Sequence, residues 1–102
     1  MEPINVARLR KKLACSGQIR VFIAVVGYGD APLTIEFAVE HAEKFDWDWA
    51  AEKLLSIEDY LDYVDAARIL WLDYYTQERI EHSEYKIGLA KLFATIYLKD
   101  TK

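Results

Sequence analysis

Glutamates and histidines are the residues of this chain whose type and spacing come closest to a chemical site. Glu36, Glu40 and Glu43 recur at helical spacing, so paired carboxylates could support acid–base catalysis or hold a cation. Acid–base catalysis needs a buried carboxyl group, because burial shifts its pKa. These three glutamates lie opposite the apolar positions of their segment, where solvent should surround them. His41 and His82 have neither the His-Glu-x-x-His nor the Glu-x-x-His spacing of metal ligands. We therefore expect surface or boundary side chains at all five positions.

The remaining reactive residues fit structural roles better than chemistry. Cys15 is the single cysteine and has no histidine near it in sequence, which predicts a partly buried, inert thiol. Gly27 and Gly29 begin a glycine pattern, but the third glycine of a dinucleotide-binding loop falls on Pro32. Three serines are typical of helix caps or turns: Ser16, Ser56 and Ser83. The sequence thus predicts no enzyme, no metal site and no cofactor.

Charge is divided into three blocks along the chain. Residues 1–20 carry five bases against one acid, residues 30–84 fifteen acids against four bases, and residues 85–102 four lysines against one acid. The formal net charge of −4 hides this alternation. Either the basic ends fold back onto the acidic middle, or two copies of the chain pair in opposite senses. The second alternative predicts a homo-oligomer.

The basic N-terminal block allows an alternative function, a nucleic-acid-binding regulator. Its candidate phosphate contacts are five bases: Arg8, Arg10, Lys11, Lys12 and Arg20. The acidic block would repel a polyanion, and the pI is about 5.1. Residues 34–55 have the outline of a helix-turn-helix, but its second helix would be acidic where a recognition helix offers bases. Protein binding is therefore favoured.

Length and composition predict a single globular domain over residues 1–102. Apolar residues make up 53% of the chain and charged residues 29%, a balance typical of a folded core. A single cysteine cannot form an internal disulfide, which favours a reducing compartment. The N-terminus lacks a secretion-signal pattern, and the longest uncharged apolar run, 21–29, is too short to cross a bilayer. We therefore expect a cytoplasmic protein without a membrane partner.

Apolar spacing predicts a mainly all-α fold, a compact bundle of four or five amphipathic helices. The first helix is expected over residues 4–15, with Leu13 facing inward and Ser16-Gly17 ending it. The next is expected to follow an N-cap at Asp30 and to run to residue 44, with Ile35 on its inward stripe.

Residues 19–28 are ambiguous between a buried helix and a single strand. Their β-branched and aromatic residues suit a strand, whereas Ile19, Phe22, Ile23 and Val26 also fall at helical spacing. A strand needs a neighbour, and the sequence offers no second convincing one. Helix is therefore favoured, and the alternative is a strand that pairs with a second copy of the chain.

A short helix capped by Asp46 and ending at Leu55 is expected to carry Trp47 and Trp49. Two positions apart on a helix, these indoles cannot both point inward. One of them should lie near the surface, where tryptophan is a typical anchor of a protein interface.

The strongest local pattern begins at Ser56. Ser56 to Asp59 resembles a capping box with Asp in place of Glu or Gln, and Leu55 and Tyr60 are placed to form a hydrophobic staple. The long helix that follows should reach about Glu78. Its inward face is expected to be aromatic and aliphatic: Tyr60, Tyr63, Val64, Ala67, Leu70, Trp71 and Tyr74. Its outward face carries acids and one isoleucine: Glu58, Asp62, Asp65, Ile69 and Asp73.

A polar interruption over residues 76–84 predicts a break, after which Ser83 caps a last helix to Lys99. Without the break, the long helix and the last helix would fuse into one. The inward face of the last helix is expected to be apolar: Tyr85, Leu89, Leu92, Phe93 and Ile96.

These patterns favour a small acidic accessory or regulatory protein, such as an inhibitor, an assembly chaperone or a complex subunit. Its expected partner is a protein with a basic surface, because opposite charge raises association rate and selectivity. Self-association is expected as well. The predicted interaction residues are the outward face of the long helix and the two tryptophans: Glu58, Asp62, Asp65, Ile69, Asp73, Trp47 and Trp49.

Overall fold

Six helices and no strand make up the part of the chain that the structure, a computed structural model, describes: residues 4–76 and 82–99. They are α1 (Val6–Lys11), α2 (Ser16–Val25), α3 (Ile35–Glu40), α4 (Trp47–Leu54), α5 (Ile57–Thr76) and α6 (His82–Lys99). The predicted all-α class is confirmed. There is one helix more than expected because the ambiguous segment forms a helix, α2, of its own.

The helix at the centre of the fold is α6, which contacts α3, α4 and α5. Its buried side chains include most of the predicted inward face and alternate between large and small: Leu89, Ala90, Phe93, Ala94, Ile96 and Tyr97. Ala90 and Ala94 are fully buried, and such small side chains let neighbouring helices approach closely. The rings of Phe93 and Trp47 lie 5.6 Å apart and join α6 to α4.

An antiparallel hairpin is formed by α5 and α6. The rings of Tyr74 and Tyr85 stack at 5.1 Å near the C-terminal end of α5, and a methyl group added at Gly88 would lie 3.0 Å from Cδ1 of Leu70. The long helix and the last helix are therefore not fused into one, and residues 77–81 of the predicted break lie outside the described part of the chain. Ser83 lies inside α6, so its predicted role as the cap is wrong.

The predicted end of the long helix at Glu78 falls outside the described residues.

The C-terminal basic block folds back onto the acidic middle of the chain. The ammonium of Lys86 donates to the carbonyl of Phe45 at 2.9 Å, and that of Lys99 lies 3.2 Å from Oδ1 of Asp59.

The first helix is shorter than predicted because the chain turns left-handed at Leu13. This residue has φ of 64° and is 87% exposed, so the expectation that it faces inward is wrong. The amide of Ala14 donates to the carbonyl of Leu9, and that of Leu13 to the carbonyl of Arg10, both at 3.0 Å. These two bonds are the Schellman pattern that ends a helix, here without the usual glycine.

Ser16 and Gly17, predicted to end the first helix, instead begin α2. Cys15 is its N-cap, and its sulfur accepts from the amide of Gln18 at 3.5 Å. The thiol is exposed, so its predicted partial burial is wrong. The preference for helix over strand in this segment is confirmed, although Phe22 alone is fully buried in α2.

Thr34, rather than Asp30, caps α3 by accepting from the amide of Phe37 at 3.0 Å. Asp30 instead accepts from the side-chain amide of Asn5 at 2.9 Å. The predicted cap is wrong because this segment first pairs with residues 4 and 5, where the amide of Ala31 donates to the carbonyl of Ile4 at 2.8 Å. Since α3 ends at Glu40 and begins four residues late, Ile35 lies at its exposed first position and not on an inward stripe.

Candidate protein-binding surface

The serine half of the predicted capping box is present at the start of α5. The hydroxyl of Ser56 accepts from the amide of Asp59 at 3.2 Å, and Leu55 is buried behind it. Asp59 is the exception among the acids of this helix because it is only 6% exposed and faces the ammonium of Lys99. Asp62 lies 3.9 Å from the same ammonium but is itself exposed.

The outward face predicted for the long helix is exposed along its whole length. Its acids will be called the acidic row: Glu58, Asp62, Asp65 and Asp73. Ile69 lies among them and is also exposed. The structure therefore brings together five of the seven predicted interaction residues on one side of α5.

A second exposed row of large apolar side chains runs beside the acidic row and was not predicted. It will be called the apolar row: Ile57, Leu61, Leu72 and Tyr75. At 3.6 residues per turn these positions fall on one stripe of α5 together with the exposed Arg68, adjacent to the acidic row and away from the buried Tyr63. The sequence signal for it was present, since apolar residues of this helix occur on more than one face.

Trp71 borders the apolar row. It was expected to face inward, but it is 45% exposed and its ring stacks on Tyr75 at 4.9 Å with planes 7° apart. Its position lies at the edge of the predicted inward face, beyond the contact between α5 and α6. Exposed aromatic side chains of this kind are enriched in protein interfaces.

Neither tryptophan of α4 lies on this surface. Trp47 is 4% exposed, and its indole N–H donates to the carbonyl of Ala42 at 2.7 Å, so its predicted role as an interaction residue is wrong. Trp49 is half-buried against the core, with Asp46 capping the helix that carries both. The two indoles point in different directions, as expected, but that of Trp49, the more exposed of the two, still packs partly against the core.

A cleft of about 370 Å³ lies between α5 and its neighbours α4 and α6. It will be called the aromatic cleft, and its polar and aromatic lining is Asp48, Tyr60, Tyr63, Arg68, Trp71 and Tyr85. The Tyr63 hydroxyl donates to Oδ1 of Asp48 at 2.8 Å. Burial, followed by this hydrogen bond and the Asp48 charge, raises the pKa of Tyr63 well above its usual range. Burial and the charge of Asp48 also raise the pKa of Tyr85.

The basic residues of the nucleic-acid alternative divide into two groups. Arg8 is half-buried and donates to the carbonyl of Leu54 at 3.1 Å, which fastens α1 to the end of α4. The other four are exposed: Arg10, Lys11, Lys12 and Arg20. Arg8 therefore has a structural role, and a smaller basic patch remains.

The side chains considered for chemistry are dispersed. Glu36, Glu40 and Glu43 are exposed, as is His82, and half-buried His41 packs its ring 4.8 Å from Phe37. Residues 4–76 and 82–99 contain no group of three or more His, Cys, Asp or Glu able to hold a metal ion. Within the same residues, no helix has the length and apolar content needed to span a membrane.

Comparison of the chain with protein-family models found no match, and comparisons with curated proteins and with solved structures found none either.

Proposed function

We propose that this chain is a small accessory or regulatory protein of the cytoplasm that acts by binding another protein through the outer face of α5, and not by catalysis. The observation that carries the proposal is the apolar row exposed beside the acidic row. Exposed apolar patches rimmed by polar residues mark interaction sites. The apolar row forms two such patches, Ile57 with Leu61 and Leu72 with Tyr75, and the exposed Arg68 lies between them.

The charge beside the apolar row defines the partner that fits it. A complementary segment would be an amphipathic helix whose apolar stripe lies on Ile57, Leu61 and Tyr75, with lysines or arginines along one edge to meet the acidic row. Burial of the apolar row supplies affinity, and the acids supply orientation and association rate. The occupant is therefore a protein segment that is both apolar and basic.

A second copy of this chain is one protein that offers exposed bases. Arg10, Lys11 and Lys12 are exposed on and just after α1, and α5 of another copy would present acids to them. Self-association by this route would use the same face of α5, so it is a particular case of the same proposal.

A synthetic helical peptide of leucines and lysines is a defined probe for this face. Its binding can be followed by fluorescence anisotropy of a label on the peptide. The variant Asp65→Lys with Asp73→Lys reverses two acids of the acidic row without touching the pair between Lys99 and Asp59. We expect about tenfold weaker binding, because two attractive contacts become repulsive.

The matched control is Glu36→Lys with Glu40→Lys, which changes the net charge by the same amount on the exposed side of α3. Equal weakening by both double variants would contradict the proposal, since general attraction to an acidic protein would explain it. Light scattering across concentration identifies self-association if the α5 variant dissociates an oligomer that the α3 variant keeps. Binding of a nucleic-acid duplex that falls steeply with salt and needs Arg10, Lys11 and Lys12 would instead favour the alternative function.

A further inference from the structure

We infer that the aromatic cleft is a binding site for an organic cation, the ammonium of a lysine or the guanidinium of an arginine on the partner protein. This inference rests on the proposed function and names the side chain that the partner inserts beside the apolar row. The cleft belongs to neither row of α5 and was not among the sites expected from the sequence.

Aromatic rings from two helices line the cleft. Tyr60 and Trp71 come from α5 and Tyr85 comes from α6. Tyr63 is only 1% exposed and contributes to the floor of the cleft, not a free ring face. The face of an aromatic ring attracts a cation, tryptophan most strongly, and several rings around one space form the cages that recognise alkylammonium groups. The volume of about 370 Å³ is in the range of ligand sites and admits the end of a long side chain with its last methylenes.

A carboxylate supplies the negative charge in the cleft and offsets the guanidinium of Arg68. Asp48 is exposed at the cleft in the first turn of α4, where it accepts the Tyr63 hydroxyl through Oδ1. An ionised carboxylate has about four acceptor positions, so it can also accept from an incoming N–H group. The hydrogen bond from Tyr63 fixes the carboxylate towards the rings, and the second acid of this region, Asp46, adds to the negative potential at Tyr63.

Arg68 is the one cation in the lining, and it allows a test of whether the cleft binds cations or anions. It is exposed at the rim, on the side of α5 that carries the apolar row. A cationic ligand would be repelled by Arg68, whereas an anionic ligand would be attracted to it. Replacing Arg68 with glutamine therefore changes the affinity for the two kinds of ligand in opposite directions.

The position of the cleft explains how a partner would reach it. Trp71 lines the cleft and stacks on Tyr75, which belongs to the apolar row. The acidic row lies on the other side of the apolar row. A helix bound along the apolar row would therefore have the acidic row at one edge and the aromatic cleft at the other, with bases accommodated at both.

Choline is a suitable first probe, and 3,3-dimethyl-1-butanol is its neutral control because carbon replaces nitrogen in the same shape. The indole N–H signal of Trp71 reports binding by NMR. We expect choline to shift it saturably, with a dissociation constant on the order of millimolar, and the alcohol to shift it much less. Asp48→Asn should weaken choline binding by about threefold to tenfold, and Asp65→Asn, at an exposed acid outside the cleft, should leave it unchanged.

Arg68→Gln should strengthen choline binding if the cleft takes cations. Equal shifts with choline and the alcohol, or a shift with acetate that Arg68→Gln removes, would overturn the inference. Asp48→Asn also tests the source of the cation, with Glu36→Gln as the control at an exposed acid outside the cleft and outside α5. Weaker binding of the leucine–lysine peptide to Asp48→Asn but not to Glu36→Gln supports a partner side chain, and loss of choline binding alone overturns that source.

The inference and the proposed function fail separately. If the peptide binds through the acidic row but choline does not enter the cleft, the proposed function stands and the cation site does not. If choline binds the cleft but the peptide does not bind α5, the cation site stands, and its assignment to a side chain of the partner falls with the proposed function.

Discussion

Tyr63 donates a hydrogen bond of 2.8 Å to Asp48, which joins the middle of α5 to the first turn of α4. The tyrosine is only 1% exposed, whereas the aspartate is exposed, so a buried phenol meets a solvated carboxylate at the floor of the aromatic cleft. This contact links α5 to α4 and orients the carboxylate of the cleft.

The stability of the fold should decrease at high pH because of Tyr63. Burial raises the pKa of Tyr63, so its phenol stays protonated in the folded chain at a pH where the unfolded chain releases the proton. Its contribution is fully present below about pH 10, the ordinary tyrosine value, and is lost as the pH rises further. The free energy of unfolding should then fall by up to about 1.4 kcal/mol per pH unit for this group.

Chemical denaturation at a series of pH values above 9 measures that slope. Tyr63→Phe should make the slope shallower, and at neutral pH it should cost about 0.5–1.5 kcal/mol for the lost hydrogen bond. Tyr28→Phe removes an exposed phenol and should leave the slope as it is. If the unfolding free energy of Tyr63→Phe falls with pH as steeply as that of the unaltered chain, the Tyr63 phenol is not buried and protonated as the structure indicates.

Leu13→Gly should stabilise the protein. Leu13 has φ of 64°, a conformation that costs an L-residue about 1 kcal/mol and glycine very little, and its side chain is too exposed to lose packing. Because glycine also gains entropy in the unfolded chain, we expect a net gain of about 0.5 kcal/mol in the free energy of unfolding. Leu13→Ala keeps the unfavourable φ and should be close to neutral. A glycine variant no more stable than the alanine variant would argue against the Schellman ending of α1.

The two acids near Lys99 should differ in their effect on stability. Asp59 is buried in the first turn of α5, where it faces both the Lys99 ammonium and the positive end of the helix dipole. Asp59→Asn should therefore cost about 1–2 kcal/mol, a figure reduced because Lys99 is largely exposed. Asp62→Asn should change stability by less than about 0.5 kcal/mol. Similar losses in thermal unfolding for both variants would contradict the distinction.

Gly88 and Leu70 should show coupled energetics. Alanine is favoured over glycine by about 1 kcal/mol inside a helix, but a methyl group at Gly88 would lie 3.0 Å from Leu70. Gly88→Ala should therefore stabilise a Leu70→Ala background by about 1 kcal/mol and the unaltered chain by less. The double-mutant cycle should give a coupling of at least about 0.5 kcal/mol. Equal effects in both backgrounds would mean that α5 and α6 are further apart.

The helical class and the start of α5 could be predicted because their signals are local. Ser56 caps α5 as its neighbours indicate, and the acids of the long helix follow one side at helical spacing. The end of α1 could not be predicted, because no sequence pattern indicates a leucine in the left-handed conformation and because Ser16-Gly17 resembles a helix end. Asp30 was predicted to be a cap because no local pattern in the sequence indicates its long-range hydrogen bond with Asn5.

The surface was predicted in part. The acidic row required only the periodicity of one helix, whereas the apolar row and the exposure of Trp71 depend on how much of α5 the other helices cover. The aromatic cleft depends on Asp48 of α4 and Tyr85 of α6, two helices that α5 meets only in the folded chain. Their proximity follows from packing, and no spacing along the chain indicates it.

The central claim is that the outer face of α5 is a docking surface for an apolar and basic protein segment. Its most direct test is backbone NMR of the full chain while the leucine–lysine peptide is added. The largest shifts should fall on Ile57, Leu61, Ile69 and their neighbours in α5, and α2 and α3 should remain unchanged. Shifts spread evenly over every exposed acid, or centred away from α5, would contradict the claim.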